Sequence, residues 1–291
     1  MQDIAYVGGA YLPIAEARVS LEDRAYQFGD GVYEALLAFD HKPFALREHL
    51  DRWDRSCAAL RLTCPYNRQQ IESIVHEALS RVEGDSLLVY MQVSRGVAPR
   101  VHQFPPQETP GVFTLTVRPH PYDSRAYEQG DDAVLFEDIR WGRCDIKCLN
   151  LLPNVLAMQH AVEKGCTQAI FYRGDTVTEC ASANMYIVRD GRIITHPVTQ
   201  AILAGVTRAH LLEDAAALGF PVEERPFTID ELYAADEAFS SSVSRRPTPV
   251  VRVEGRVIRD GKRGPITEAL QAAYRQRIEK ELRTENLKCI R

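Results

Sequence analysis

Lysine is scarce in this sequence, with six residues among 291, whereas arginine occurs 29 times. The shortage is not one of positive charge, because arginine supplies it. Five lysines lie in predicted turns, at helix ends or in the polar C-terminal tail, where a solvated charge explains them: Lys42, Lys164, Lys262, Lys280 and Lys288. The sixth, Lys147, lies in the stretch RCDIKCLNLL, just after a predicted strand and before a predicted apolar helix. Its position needs a chemical explanation.

Long apolar runs and clusters of positive charge are also missing. No stretch approaches the roughly 18 apolar residues that a membrane span needs, so no transmembrane helix is predicted. The first residues, MQDIAYVGGAYL, have no basic start followed by an apolar run, and we expect no signal peptide. The net charge is −5, and the few basic clusters, such as Arg245-Arg246, are two residues long. This composition does not favour binding to nucleic acid or to an anionic membrane.

Cysteine is present, but not in a pattern that suits a disulfide framework or a zinc site. The seven cysteines are odd in number and irregular in spacing, which is typical of reduced thiols in a cytoplasmic protein. Zinc at Cys144 and Cys148 would need a second pair of ligands at short spacing. The nearby Cys166, Cys180 and His160 are isolated from one another. We therefore expect no metal and a cytoplasmic location.

Strand and helix patterns are mixed along the whole chain, whose length predicts two domains. A polar stretch without periodicity, RPHPYDSRAYEQGDD, marks the predicted boundary. We predict an α/β (α+β) fold with an N-terminal domain at 1–118, a linker at 119–131 and a C-terminal domain at 132–291 that contains Lys147. The site is expected between the two domains, and a helix is expected from about Leu149 to Lys164.

The local sequence leaves two interpretations of Lys147 open. Burying a charged lysine costs several kcal/mol, so a buried lysine either loses its proton or meets a partner. A lysine with a lowered pKa is a nucleophile for carbonyl groups. The alternative is a lysine whose charge is paired with Asp145 or Asp138.

Two distant features favour the chemical interpretation. Gly205-Val206-Thr207 begins a predicted helix, where N–H groups, a hydroxyl and the helix dipole suit a phosphate. Glu179 lies between a predicted strand and a predicted hairpin. A lysine amine, a phosphate cup and a carboxylate together indicate pyridoxal 5'-phosphate (PLP). Its aldehyde needs the lysine, and its pyridine nitrogen needs an acid.

At this point the sequence resembles a known family over nearly its whole length. The chain is similar to the fold-type IV PLP enzymes, and most closely to the D-amino-acid transaminases. The resemblance rests on seven stretches: EDRAYQFGDGVYE (22–34), EHLDR (48–52), SRGVAPRVHQFP (94–105), EDIRWGRCDIKCLNLL (137–152), DTVTE (175–179), THPVTQAILAGVTR (195–208) and RDGK (259–262). It implies two mixed α/β domains, the second a pseudo-barrel, with the cofactor between them.

The resemblance implies roles for the cofactor site. Lys147 would bind the cofactor covalently and then move the substrate proton, and Glu179 would lie beside the pyridine nitrogen. Arg52 would bind the phosphate, although the residues alone favour its pairing with Glu48 one helical turn away. The remaining implied cofactor contacts are Ser182, Leu203 under the ring, and Val206, Thr207, Ser242 and Val243.

The resemblance also implies how the substrate is held. Tyr33, Arg100 and His102 would bind the α-carboxylate, for which a guanidinium fork, a ring N–H and a hydroxyl are suitable donors. Arg100 and His102 would come from the partner subunit, so the implied enzyme is a homodimer. The implied reaction is D-alanine + 2-oxoglutarate = pyruvate + D-glutamate.

Three alternatives remain open at this stage. Branched-chain L-amino-acid aminotransferases and aminodeoxychorismate lyases share the fold and the lysine, but they match the R-x-H-Q-F loop less well. A PLP-binding regulatory protein that kept the fold is the third.

The sequence also departs from the family pattern in two places. Cys180-Ala181-Ser182-Ala183 follows the glutamate where glycine and serines are usual, and Val243 replaces a hydroxyl residue near the phosphate. We expect a weaker hold on the cofactor from the second change.

Overall fold

The computed structural model describes residues 2–121 and 124–283. Within these residues the chain divides into two compact units, one of residues 2–121, 146–150 and 281–283, the other of 124–145 and 151–280. The helices are α1 (Arg24–Phe28), α2 (Leu46–Leu60), α3 (Arg68–Ser80), α4 (Ser124–Gln129), α5 (Leu152–Glu163), α6 (Val206–Ala217), α7 (Ile229–Tyr233) and α8 (Pro265–Leu282), with a 3-10 turn at Ile14–Glu16. Among these described helices, none is long and apolar enough to cross a membrane.

The strands fall into two groups along the chain. The first six are β1 (Ile4–Val7), β2 (Ala10–Leu12), β3 (Gly31–Phe39), β4 (Lys42–Pro43), β5 (Ser86–Ser94) and β6 (Val112–Pro119). The others are β7 (Asp131–Glu137), β8 (Gln168–Arg173), β9 (Thr176–Cys180), β10 (Asn184–Arg189), β11 (Arg192–Thr195), β12 (Val222–Glu224), β13 (Phe227–Thr228), β14 (Glu237–Ser242), β15 (Arg246–Val253) and β16 (Arg256–Val257). The mixed α/β class predicted from the sequence is confirmed.

The first unit is an antiparallel sheet with helices on one face. The strand order is β2-β1-β6-β5-β3-β4, and α2 packs on β3. Alternation along β3 turns Val32 and Leu36 toward the core, where both are fully buried. Trp53 from α2 and Val75 from α3 belong to the same apolar cluster. This packing makes β3 a rigid support for the polar residues that it also bears.

The segment 146–150 belongs to the first unit because its backbone pairs with β3. The Tyr33 amide donates to the Lys147 carbonyl, and the Leu149 amide donates to the Gly31 carbonyl, each at 3.0 Å. An isolated bridge joins Val32 and Cys148 between them. This grouping differs from the predicted assignment of Lys147 to the C-terminal domain. It also explains why α5 begins at Leu152 rather than near Leu149.

The second unit is built on a ten-stranded mixed sheet. The order is β12-β11-β10-β14-β15-β7-β8-β9-β13, with β16 beside β15. Strands β15, β7 and β8 are parallel neighbours, whereas β9 is antiparallel to β8. Glu179 therefore lies on a strand of the sheet, because the TVTEC stretch pairs back onto β8.

The predicted linker at 119–131 contains helix α4. Its Tyr127 is buried, and the hydroxyl donates to the Gln271 carbonyl at 3.1 Å. The Gln271 side chain in turn donates to the Tyr127 carbonyl at 2.7 Å. One buried aromatic thus anchors a segment whose polar composition predicted no structure.

Candidate active site

Lys147 lies half-buried beside β3, with its side chain over an aromatic ring. Its Nζ atom lies 4.0 Å from the centre of the Tyr33 ring, and its backbone amide donates to Ser56 Oγ at 3.3 Å. Among the described residues of its own unit, Lys147 pairs with no carboxylate. Within that part of the structure, the amine is held against a tyrosine ring and is not neutralised by an ion pair.

The two carboxylates that could have paired with Lys147 are both engaged by arginines. Arg143 donates two hydrogen bonds of 2.9 Å to Asp145. Arg140 donates two bonds of 2.9 Å to Asp138, and Arg173 donates a third at 3.1 Å. Bidentate arginine pairs of this kind are among the stronger charge-assisted bonds. The geometry therefore does not support the ion-paired interpretation of Lys147.

Tyr33 is oriented by a second tyrosine that the sequence analysis missed. The Tyr33 and Tyr90 rings stack with centres 5.5 Å apart and planes at 27°. The Tyr90 hydroxyl donates to Gln92 Oε1 at 2.8 Å. The Tyr33 ring is thus held between an aromatic neighbour and the lysine.

Arg52 is buried and paired with Glu34, a residue that the sequence analysis also missed. Its Nε donates to Glu34 Oε1 at 2.7 Å and its Nη2 to Glu34 Oε2 at 2.9 Å. His49 Nδ1 lies 2.8 Å from the same carboxylate. Arg52 thus lies on the face of α2 that packs on β3 and is paired with Glu34, whereas the residues alone favoured a pair with Glu48. The signal was present as a single acid inside the apolar strand GVYEALLAF.

The charges around Glu34 have a defined direction. Burial alone would raise the pKa of Glu34, but the bonds from Arg52 and His49 outweigh it and hold that pKa well below its usual range. Burial lowers the pKa of His49, against the opposing pull of Glu34. The cluster is therefore an ionised carboxylate and a guanidinium with a largely neutral imidazole, which fixes the guanidinium in one orientation.

Arg100 and His102 lie on an exposed loop of the first unit. The Arg100 guanidinium carbon lies 5.0 Å from the centre of the Phe28 ring, and the His102 ring centre lies 5.7 Å from it. Among the described residues, neither side chain makes a hydrogen bond or ring contact with Tyr33. The structure therefore brings Arg100 and His102 together, but not with Tyr33 of the same chain.

Glu179 is buried in the second unit and accepts hydrogen bonds from three groups. Arg140 Nη1 forms an ion pair with Oε1, while Asn184 Nδ2 and the Leu203 amide each donate to Oε2 at 3.1 Å. Burial raises the pKa of Glu179, against the opposing effect of Arg140. A carboxylate with a raised pKa and fixed donors is a strong acceptor for a ring N–H.

The start of α6 offers backbone donors to an anion. Gly205 is the N-cap of this twelve-residue helix, no side chain caps it, and Thr207 is buried with Oγ1 3.4 Å from the Tyr274 hydroxyl. A Cβ on Gly205 would lie 2.1 Å from Asn184 Oδ1. The same Asn184 donates to Glu179 and, at 2.9 Å, to the Leu203 carbonyl. One amide side chain thus connects the carboxylate with the helix start.

The remaining predicted cofactor residues differ in burial. Ser242 ends β14, and its Oγ accepts from the Arg245 amide at 3.3 Å. Val243 follows it in the turn to β15, and both are half-buried. Leu203 is half-buried and Ser182 is exposed. Cys180 is buried, with its thiol 3.7 Å from the Met185 sulfur, so this departure from the family pattern is a packing residue.

The cysteines show no grouped chemistry in the described ranges. The six described cysteines form no disulfide with one another, and Cys289 lies outside those ranges. No three His, Cys, Asp or Glu side chains within residues 2–121 and 124–283 are arranged to hold a metal ion.

Comparison with known proteins identifies the family. Residues 31–253 match the family described as amino-transferase class IV. The chain belongs to this family. This class IV aminotransferase is 43% identical to the D-alanine aminotransferase of Staphylococcus haemolyticus over 276 residues, which cover 94% of the chain and 97% of that protein. It is 41% identical to the D-alanine aminotransferase of Listeria monocytogenes serotype 1/2a over 267 residues, 90% of the chain and 92% of that protein.

Solved structures agree on the fold. The class IV aminotransferase aligns with the branched-chain amino acid aminotransferase of Escherichia coli at a TM-score of 0.87 and 25% identity, covering 98% of the chain and 97% of that structure. The branched-chain aminotransferase of Thermoproteus uzoniensis gives a TM-score of 0.84 at 26% identity, with 96% of each chain covered. The resemblance stated from the sequence motifs is confirmed.

Replacing Gly205 with alanine should destabilise the second unit by about 1–3 kcal/mol, because the new methyl group has no room beside Asn184. Urea unfolding of Gly205→Ala measures the loss. Gly142→Ala is the control, since a Cβ at Gly142 meets nothing within 4 Å. Equal stabilities of the two variants would contradict the assigned close approach.

Glu34 should make the fold sensitive to acid. Because its pKa in the folded protein is below that in the unfolded chain, its stabilising contribution is complete above roughly pH 5 and is lost as the pH falls. The stability difference between the wild type and Glu34→Gln should therefore narrow by about 1–2 kcal/mol between about pH 6 and about pH 3. Urea unfolding followed by tryptophan fluorescence measures it, since Trp53 is buried in the same unit. A difference that stays constant over this range would be inconsistent with the assignment.

Proposed function

We propose that this aminotransferase uses PLP to transaminate D-amino acids, converting D-alanine and 2-oxoglutarate to pyruvate and D-glutamate. The observation that supports this most is an amine without an ion pair at Lys147, in a chain 43% identical to a D-alanine aminotransferase over 94% of its length. The identity to branched-chain enzymes is 25–26% over similar spans, which makes them the less favoured assignment.

The residues present fit PLP. Lys147 offers the amine that an aldehyde needs, the uncapped start of α6 offers N–H donors for a phosphate, and Glu179 is a buried acceptor for a pyridinium N–H. In the proposed assignment Arg52, Val206, Thr207, Ser242 and Val243 hold the phosphate. Leu203 packs under the ring, and Ser182 lies at the edge of the site.

The bound cofactor supplies an electron sink for the carbanion formed at the substrate α-carbon. The residues of this chain do the remaining work. Lys147 Nζ would take the proton from the substrate α-carbon and then deliver it to the cofactor carbon. Glu179 keeps the pyridine nitrogen protonated, and the bonds from Arg140 and Asn184 prevent its carboxylate from turning away. Tyr33 is held by Tyr90 with its ring beside the lysine.

We propose that Arg100 and His102 bind the α-carboxylate in the site of a second copy of the chain. Their exposure and their lack of contact with Tyr33 in the same chain support this arrangement. Leu21, Tyr26 and Val97 are exposed apolar side chains on the segments beside this loop. Exposed apolar side chains of this size are common at subunit interfaces, which supports the proposed homodimer. A cytoplasmic location stays a prediction.

Absorbance spectra of the purified holoenzyme test cofactor, reaction and stereochemistry together. D-Alanine should bleach the visible band of the bound cofactor, and L-alanine and L-leucine should not. Lys147→Ala, purified with the same fold by circular dichroism, should show no bleaching that is coupled to pyruvate release. Bleaching by L-leucine alone would assign the chain to the branched-chain enzymes. Pyruvate release from aminodeoxychorismate without an amino acceptor would indicate a lyase.

The valine near the phosphate should weaken cofactor binding. Val243→Thr restores a hydroxyl and should tighten PLP binding by about 1–3 kcal/mol, the value of a hydrogen bond to a charged acceptor. Titration of PLP into the apo-protein measures the affinity, with Val243→Ala as a control that lacks the hydroxyl. Equal affinities of the wild type and Val243→Thr would refute the expectation.

A further inference from the structure

The Phe28 ring is the contact shared by the two residues proposed to bind the substrate carboxylate. The guanidinium carbon of Arg100 lies 5.0 Å from its centre, and the His102 ring centre lies 5.7 Å away at an angle of 45°. The Arg24 guanidinium carbon lies 4.8 Å from the same centre. Guanidinium groups at this distance are attracted to the electron-rich face of an aromatic ring. A single half-buried ring therefore contacts both functional side chains of the loop.

The backbone between Arg100 and His102 is fixed by the same short helix. Arg24 is buried, and its Nη1 donates to the Val101 carbonyl at 2.7 Å. Its Nε donates to Asp30 Oδ2 at 2.8 Å. The loop carbonyl is thus bonded to a buried arginine whose other nitrogen is already anchored.

Asp30, which binds Arg24, also binds an arginine at the end of the strand that precedes the loop. Arg95 follows β5, and its Nε and Nη2 donate to the two oxygens of Asp30 at 2.9 Å each. The Arg95 guanidinium carbon lies 3.7 Å from the centre of the Phe104 ring, near the far end of the loop. Arg95, at the start of the loop, and Arg24, which binds the Val101 carbonyl, are therefore both bonded to the carboxylate of Asp30.

The short helix α1 is built to present Phe28 and Arg24 together. Asp23 caps its start by accepting from the Ala25 amide at 2.8 Å. Gly29 ends it in the left-handed region at φ +66, which glycine adopts without strain. The spacing of four residues places Arg24 and Phe28 on one side of the helix. This explains how five residues can support both the backbone and the side chains of the loop.

We propose that Phe28 and Arg24 are positioning residues that hold Arg100 and His102 in the conformation that binds the substrate carboxylate. This inference rests on the proposed function, because it assigns the carboxylate to Arg100 and His102. Long arginine side chains lose conformational freedom when they bind a ligand, and ordering them beforehand improves affinity. The loop is exposed, and these contacts with α1 and Asp30 help to hold it in one conformation. Loss of the Phe28 ring should therefore weaken substrate binding more than it slows the chemical step.

Steady-state kinetics of the holoenzyme with D-alanine test the inference. Phe28→Leu should raise KM about three- to tenfold while kcat changes less than about twofold, as expected for loss of ground-state binding. Phe28→Tyr keeps the aromatic face, so its KM should equal that of the wild type. Tyr11→Leu is the matched control, because it removes another ring that faces an arginine, Arg81 at 4.4 Å, in the same unit but away from the loop.

A double-mutant cycle separates positioning from general packing. In an Arg100→Ala background, Phe28→Leu should raise KM by a smaller factor than in the wild type, because one of the two side chains that it orients is gone. Additive effects of the two changes, or an equal rise of KM in Tyr11→Leu, would overturn the inference while leaving the proposed function intact.

Trypsin cleavage gives a second readout that does not depend on activity. The bond after Arg100 should be cut about threefold faster or more in Phe28→Leu than in the wild type, Phe28→Tyr and Tyr11→Leu, as followed by mass spectrometry of the intact chain. If the wild type does not transaminate D-alanine, the proposed function fails and cleavage alone decides whether Phe28 orders the loop. Equal cleavage rates in all four proteins would refute that role.

Discussion

Backbone pairing between residues 31–33 and 147–149 determines where the amine of Lys147 lies. Two backbone hydrogen bonds of 3.0 Å join these segments, and β3 is in turn paired with β5 along its nine residues. Gly31 allows the approach, since a Cβ there would lie 2.5 Å from the Val93 carbonyl and 2.6 Å from Leu149 Cδ1. The lysine is therefore held by a sheet, although it belongs to no regular element itself. Such support limits the positions that the amine can reach and favours a defined geometry for the proposed proton transfer.

Glu34 in the first unit and Glu179 in the second are both buried, but their pKa values are shifted in opposite directions. Glu34 has Arg52 and His49 as partners, which keep its pKa low in spite of burial. Glu179 has Arg140, Asn184 and a backbone amide, yet burial prevails and its pKa is raised. The first carboxylate is suited to a permanent ion pair that orients an arginine. The second retains more affinity for a proton, which suits an acceptor that must share one with a ring nitrogen.

The sequence was informative wherever residue type alone limited the chemistry. The isolated Lys147 and the helix start at Gly205-Val206-Thr207 were both predicted from composition and spacing. What could not be predicted were contacts between residues far apart in the chain, such as that of Glu34 with Arg52. Arg140 and Asn184 were missed for the same reason, because each acquires its role only when β9 pairs with β8 and the loop at Leu203 folds back. Helix α4 was hidden because a single tyrosine, not an apolar pattern, anchors it.

Side chains along β3 alternate between its two faces, so the register of this strand matters for the candidate site as well as for stability. Glu34 faces the core and the α2 helix, while Tyr33 faces the opposite side with Tyr90 and the Lys147 amine. A shift of one residue would exchange these faces and put an unpaired acid beside the lysine and a tyrosine against Arg52. Inserting or deleting one residue in this strand would therefore disrupt both the Glu34–Arg52 pair and the contact of Tyr33 with Lys147. Because one register sets both faces of β3, residues on the two faces are constrained together during evolution.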